Sequence, residues 1–239
     1  MIKSSANINK LIKSEHVEII RADGSSCITK VSLIEESVLN IYLNNKFIVK
    51  VNCLPEMLCE LVVGLLYNMN QINDYADIVS VTVDEKKGNI FVVSSDYSDN
   101  IKEDTSLHPI NPITYDYTKI YELINIFSED MPFHKATSCT HSCFLANKHK
   151  LLIALEDIGR HNAIDKAIGY ALINNINLSD CMLFTSGRVP YDLVTKIINA
   201  GIPILISKSM PTQKAVALAQ EYKLTLLCHA RDDSFYKFS

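Results

Sequence analysis

Four short apolar runs near the carboxyl end, LLIAL, CMLFT, IPILI and LTLLC, are separated by segments of helical periodicity, and this alternation restricts the fold more than any other feature. Each run is bounded by polar turn residues and is too short for a buried helix, so each reads as a strand buried on both faces. Between them, Ile164, Ala167, Ile168, Ala171 and Leu172 fall on one helical face. PYDLVTKIINAG has Pro190 at its start and Gly201 just past its end, the usual asymmetry of a helix. TQKAVALAQEYK reads as a third helix. Strands alternating with helices predict a largely parallel sheet covered on both faces. TSCTHSCFL and KLLIALED flank the polar turn ANKHK and predict a hairpin leading into that sheet.

The amino-terminal part has a different grammar. HVEIIRADGSSCITKVSLI and SVLNIYLNNKFIVKVN are β-rich runs broken by Asp23-Gly24 and Asn44-Asn45, which favour hairpin turns. PEMLCELVVGLLYNMN predicts a mostly buried helix with Pro55 at its first turn, and IVSVTVDEKKGNIFVVSS predicts another hairpin. A polar, aperiodic stretch with two prolines follows. The expected division is an α+β domain over 1–94, a linker over 95–116 and an α/β domain over 117–239, which opens with the helix YTKIYELINIFSED.

Composition narrows the setting. A formal charge of −4 gives no basic field for nucleic acid. The longest apolar run, LVVGLLY, is too short to span a bilayer. Seven cysteines at irregular spacing, with a frayed-looking amino terminus rather than a signal peptide, point to free thiols in a reducing cytoplasm.

In parallel sheets ligands bind outside the carboxyl ends of the strands. There this chain carries Glu156, Asp157, Arg160, His161 and Asn162, then Ser186, Gly187 and Arg188, then Ser207, Lys208 and Ser209, then His229, Arg231, Asp232 and Asp233. SGRVP reads as a helix start, where free amides and the positive dipole end favour an anion. The basic groups could add charge-assisted hydrogen bonds, and the acids could meet ribose hydroxyls or pair with the arginines. No glycine-rich phosphate loop of Walker or dinucleotide spacing is present, so the residues alone point only to a nucleotide-like anion.

EDIGRHNAIDK, TSGRVPYDLVTKIINAGIPILIS and LTLLCHARDDSF resemble the FdhD/NarQ family of formate dehydrogenase accessory sulfurtransferases, strongly over about 135–239 and more weakly through NCLPEMLCELVVGLL. The resemblance implies an α/β fold, with a carboxy-terminal cytidine-deaminase-like αβα domain and a smaller amino-terminal α+β domain. It implies a sulfur carrier that takes persulfide sulfur from a cysteine desulfurase. The recipient is the cofactor of formate dehydrogenase, a molybdenum bis(molybdopterin guanine dinucleotide) or its tungsten counterpart. It also allows a homodimer, and it predicts neither a nucleic-acid partner nor a membrane one. The family's cofactor-binding segment matches His229, Ala230, Arg231, Asp232, Asp233 and Ser234, although the family favours glycines and a second arginine where this chain has the acids and Ser234. Asp157, Arg160, His161, Asn162, Ser186, Gly187 and Arg188 are the further cofactor-binding candidates, and a GDP-like nucleotide is expected near Arg160, Ser186, Gly187, Arg188 and Arg231.

The cysteines depart from the family. It carries a cysteine pair in the interdomain loop, whereas residues 94–116 contain none. In TSCTHSC, Thr137 and His141 match, while Cys139 stands where a glycine is usual. Cys139, His141 and Cys143 alternate and would share one face of a strand. That pattern reads as packing, as a relocated sulfur carrier with Cys139 the first candidate and Cys143 the second, or as a metal site, in that order. The remaining cysteines, Cys27, Cys53, Cys59, Cys181 and Cys228, read as core. Zinc deaminase chemistry needs a histidine–x–glutamate and a proline–cysteine–x–x–cysteine; this chain offers His161-Asn162-Ala163 and Ser186-Gly187-Arg188, so no zinc is expected. Two functions from different classes remain, a sulfur carrier using a displaced thiol and a non-catalytic chaperone of the cofactor or its enzyme.

Overall fold

The computed structural model describes residues 2–3, 8–95, 107–129 and 131–239. The first half comprises β1 (Ile2–Lys3), α1 (Ile8–Leu11), β2 (Ile12–Ile20), β3 (Ser26–Ile34), β4 (Ser37–Leu43), β5 (Lys46–Cys53), α2 (Leu58–Asn68), β6 (Ile78–Asp84) and β7 (Asn89–Ser94). Then come α3 (Tyr117–Glu129), α4 (Pro132–Thr137), β8 (His141–Asn147), β9 (Leu151–Asp157) and α5 (Arg160–Ile173). The chain closes with β10 (Cys181–Thr185), α6 (Tyr191–Asn199), β11 (Ile204–Ser207), α7 (Gln213–Glu221), β12 (Thr225–Cys228) and β13 (Tyr236–Lys237).

The fold is mixed α/β. Its larger sheet has the order β1-β9-β8-β10-β11-β12-β13. β10, β11 and β12 are mutually parallel, while β8 runs antiparallel to both β9 and β10. β9 therefore points the same way as β10, and the carboxyl ends of β9, β10, β11 and β12 share one edge. The antiparallel β8 delivers its amino end, His141, to that same edge, opposite Asp157. Alternation along each strand feeds two cores. Cys143, Leu145, Leu155 and Leu183 face α5, α6 and α7, while Phe144, Phe184 and Ile206 meet Ile120, Leu123 and Phe127 of α3.

A second sheet, β5-β4-β7-β6, packs Leu39, Ile41, Leu43, Ile90 and Val92 against α2. The other side of α2 lies on α5. A Cβ on Gly64 would stand 1.9 Å from the Asp165 carbonyl oxygen, and one on Gly169 equally close to that of Glu60. Mid-helix glycine costs about 1 kcal/mol of helix propensity, and here it lets two backbones touch. A further ribbon, β2–β3, has every residue from 13 to 28 exposed, and its strand β3 touches α4.

Several local expectations change. Pro55 precedes α2 by three residues, and Met57, in the left-handed region at φ 52°, turns the chain into the helix. α5 begins at Arg160 after an N-cap Gly159 with no side-chain cap. Cys27 and Cys59 are exposed rather than core. Within the expected linker, residues 96–106 lie outside the described residues, while Ile110 is buried in the core and its amide donates to the Tyr222 carbonyl.

Candidate functional site

The turn after β9 splits into two sets of side chains. One set points inward. Asp157 is fully buried and pairs with the equally buried Lys166 at 2.6 Å. The amides of Leu54 and Gly159 and the Asn162 side chain also donate to Asp157, and Lys166 donates to the Leu54 carbonyl. Asn162 further donates to the Asn52 carbonyl at 2.7 Å. Asp165 receives Lys196 of α6 and Asn68 of α2. These groups tie the β5–α2 connection to α5, and neither Asp157 nor Asn162 faces the strand-end cleft described below.

Glu156 also looks inward. Its carboxylate accepts the amides of Phe133 and His134 and the hydroxyl of Thr140, all at 2.7–2.8 Å. A carboxylate there satisfies free amides at the start of α4 and is favoured by the local dipoles. The Thr140 carbonyl in turn meets Nδ1 of His134 at 2.8 Å. Neither Glu156 nor Asp157 is thus placed to meet ribose hydroxyls or pair with the arginines, contrary to the expectation.

The other set lies at the sheet edge. The stem of Arg160 covers Gly187, where a Cβ would come within 3.0 Å of it, and its Nε is buried with no hydrogen-bond partner among the described residues. Arg188 is exposed, and among the described residues neither arginine forms an ion pair. Both act on His141, whose pKa is lowered first by burial and then by Arg160, His134 and Arg188. His161 is also lowered, chiefly by burial and by Lys196, although Asp192 stands 3.4 Å away. Near neutral pH both imidazoles are held neutral.

The anion site expected from a helix start takes another form. α6 begins only at Tyr191, and the Ser186 and Gly187 amides are occupied by the Ser142 carbonyl and the Thr185 hydroxyl. Positive charge at the edge comes from side chains. A cleft of about 400 Å³ opens there, lined by Met131, His134, Ser138, Cys139, Thr140, His141, Ser186 and Lys208. Lys208 lies over the Phe127 ring at 5.0 Å, and burial lowers its pKa. Arg231 donates to the carbonyls of Lys208 and Ala230, which fastens the last loop beside the cleft. His229, at φ 53°, stacks on Tyr236, while Asp232, Asp233 and Ser234 are exposed.

Cys139 and Cys143 part company. Cys143 is fully buried in β8, and burial drives its thiol pKa far up. Cys139 precedes the strand, in the turn after α4, and is exposed at the cleft. Sequence reasoning placed both on one strand and missed His134, whose place comes from a long-range tie between Glu156 and α4. Among the described residues, no group of three or more His, Cys, Asp and Glu is arranged to hold a metal ion. No helix among them is long and apolar enough to cross a membrane.

Fold and edge together define an α/β protein with an accessible thiol and the imidazoles of His134 and His141 at one cleft, beside two guanidinium groups that form no ion pair among the described residues. The chain belongs to the FdhD/NarQ family, whose pattern is matched by residues 34–108 and 93–239. It is 37% identical over 203 residues to protein FdhD of Methanocaldococcus jannaschii, covering 84% of this chain and 85% of that one. The sulfur carrier protein FdhD of Bacillus subtilis is 29% identical over 226 residues, covering 85% and 86% of the two chains. A crystal structure of a candidate formate dehydrogenase accessory protein from Desulfotalea psychrophila superposes with a TM-score of 0.86 at 28% identity, covering 96% of this chain and 97% of that one.

Proposed function

We propose that this protein is a formate dehydrogenase accessory protein that carries sulfur. It receives persulfide sulfur from a cysteine desulfurase and passes it to the guanine-dinucleotide molybdenum or tungsten cofactor before that cofactor enters the enzyme. The reaction belongs in the cytoplasm, where thiols stay reduced. The observation that carries the reading is the cationic edge of the larger sheet in a chain of this family. Arg160 has a buried Nε without a hydrogen-bond partner among the described residues, Arg188 is exposed beside it, and Lys208 lines the adjoining cleft.

The cofactor is cargo. Its nucleotide phosphates would be held by Arg160 and Arg188 through charge-assisted hydrogen bonds, with the Ser186 hydroxyl alongside. His229 to Ser234 form the neighbouring rim. The exposed Asp232 and Asp233 oppose a polyanion there, so binding weighted toward the Arg160–Arg188 side fits the charges better.

A second reading, a chaperone that binds the cofactor or its enzyme without sulfur chemistry, draws support from the lack of any cysteine in residues 94–116. Incubation with a cysteine desulfurase and cysteine, followed by cyanolysis of bound sulfane sulfur, separates the two. The carrier gains labile sulfur, and the chaperone gains none. Calorimetry with GDP checks the binding half, with Arg188→Ala expected to weaken affinity by about tenfold, the usual worth of one charged hydrogen bond. No heat at millimolar GDP removes the nucleotide site from the reading.

A further inference from the structure

We infer that the sulfur-bearing residue is Cys139, working in the cleft with His134 as its proton acceptor. The inference rests on the carrier reading above and names its chemistry.

The seven cysteines sort by position. Cys53, Cys143, Cys181 and Cys228 are buried, and burial raises all four thiols, Cys53, Cys181 and Cys228 to about 12. A thiol held protonated is a poor nucleophile, and a buried one cannot meet a second protein. Cys59 is exposed on α2, but partial desolvation and the adjacent Glu60 push its thiol up. Cys27 is exposed on the β2–β3 ribbon, where Arg21 donates to its sulfur at 3.2 Å. Its neighbours from residue 13 to residue 28 are all exposed, and none of them lines the cleft that holds His134, His141 and Lys208. Cys139 joins exposure to a cleft that also holds two imidazoles and an ammonium group.

Hydrogen bonding sets the proton on His134. A carbonyl oxygen can only accept, so the contact between Nδ1 and Thr140 places the proton of neutral His134 on Nδ1. The lone pair is then on Nε2, the nitrogen free to take a proton. Glu156 fixes the arrangement from below, since it accepts the amides of Phe133 and His134 and the hydroxyl of Thr140. His134 and Cys139 sit on one short unit, with the Ser138 amide returning to the His134 carbonyl at 2.7 Å.

The substrate class is a persulfide carried on a donor thiol. Nε2 of His134 takes the Cys139 proton, and the thiolate attacks the terminal sulfur of the donor persulfide. A bond forms between Cys139 Sγ and that sulfur, the donor's sulfur–sulfur bond breaks, and its electron pair leaves on the donor thiolate, which takes up a proton. No net oxidation occurs. The Cys139 persulfide then stands at the mouth of the cleft, where Lys208 favours the anion.

The test uses the full chain and limiting inorganic polysulfide at neutral pH, with persulfides trapped by alkylation and mapped by peptide mass spectrometry. Cys139 is expected to gain sulfur about tenfold faster than Cys27 or Cys59, the advantage of a base-assisted thiolate. His134→Gln should slow Cys139 alone, with the rate recovering as pH rises toward that of an ordinary thiol. Folding of the variants is checked by circular dichroism, and His134→Asn serves as the second variant if His134→Gln unfolds. Sulfur arriving at Cys27 or Cys59 as fast as at Cys139 overturns the assignment and leaves the carrier reading standing. A His134 variant with an unchanged pH profile overturns the base. No sulfur on any cysteine, from polysulfide or from desulfurase, removes the carrier reading together with this one.

Discussion

The inner and outer sides of the turn after β9 use the same residue types for opposite ends. On the inner side Asp157 meets Lys166, two amides and Asn162, and nothing charged is left over. On the outer side, among the described residues, Arg160 has a buried Nε without a hydrogen-bond partner, and Arg188 is exposed and makes no ion pair. Satisfied buried charges position elements, and unsatisfied ones beside a cleft are available to a ligand. A run of polar residues between strand and helix is therefore two devices in one, a latch facing the amino-terminal unit and a receptor facing the cleft.

The largest expected effect breaks the latch. Asp157→Ala leaves the Lys166 ammonium buried without its partner and strands the amides of Leu54 and Gly159. A loss of about 4 kcal/mol in urea unfolding is expected, in the range for breaking a buried pair. Adding Lys166→Met should return much of it, because the uncompensated charge goes with the lysine. Arg188→Ala, on the other side, should change stability by less than about 0.5 kcal/mol, since the residue is exposed. If Asp157→Ala and Arg188→Ala destabilise equally, the division between latch and receptor is wrong.

A smaller effect tests the helix crossing beside the latch. Gly64→Ala puts a methyl into the Asp165 carbonyl at 1.9 Å, which no rotamer can relieve. Separation of α2 from α5 should cost about 2–3 kcal/mol, even though alanine favours a helix by about 1 kcal/mol over glycine. Hydrogen exchange should then loosen in α2 and the sheet it covers before it loosens in β10 or β11. Uniform loosening would mean that the two parts unfold as one unit.

Much of this was legible in the residues. The short apolar runs and the periodic segments between them gave the strands, the covering helices and the shared carboxyl edge, because strand burial and helix amphipathicity are local properties. Asp23-Gly24 and Asn44-Asn45 gave the hairpins for the same reason. The partners of Asp157 and Glu156 were not legible. Leu54 lies 103 residues from Asp157, and no local pattern reports such a contact. Gly64 and Gly169 carried a signal that could have been read, since glycine inside a helix pattern marks a close approach. Cys139 was placed on the strand because alternation alone does not reveal where a strand begins. The αL residue Ser138, at φ 55°, ends α4 and leaves Cys139 in the turn.

The smallest effect concerns the outer histidines and pH. His141 and His161 both have folded pKa values below the ordinary 6.5, each chiefly through burial and then through neighbouring cations. Between the folded value and 6.5 the unfolded chain binds more protons, so stability rises with pH there. Their contribution is intact above about pH 6.5 and is lost as pH falls through the lowered folded values. Asp165 works in the opposite sense, because burial raises its pKa above 3.8 and its part of the stability declines as pH rises through the folded value. The histidine-dependent part of the urea midpoint should therefore fall between pH 7 and pH 5, and the His141→Asn, His161→Asn double variant should remove that acid limb. GDP sharpens the contrast. A nucleotide held at Arg160 and Arg188 adds negative charge beside His141, should raise its pKa toward 6.5 and should therefore shrink the acid limb. An acid limb unmoved by saturating GDP would place the nucleotide away from His141 and from the receptor side of the turn.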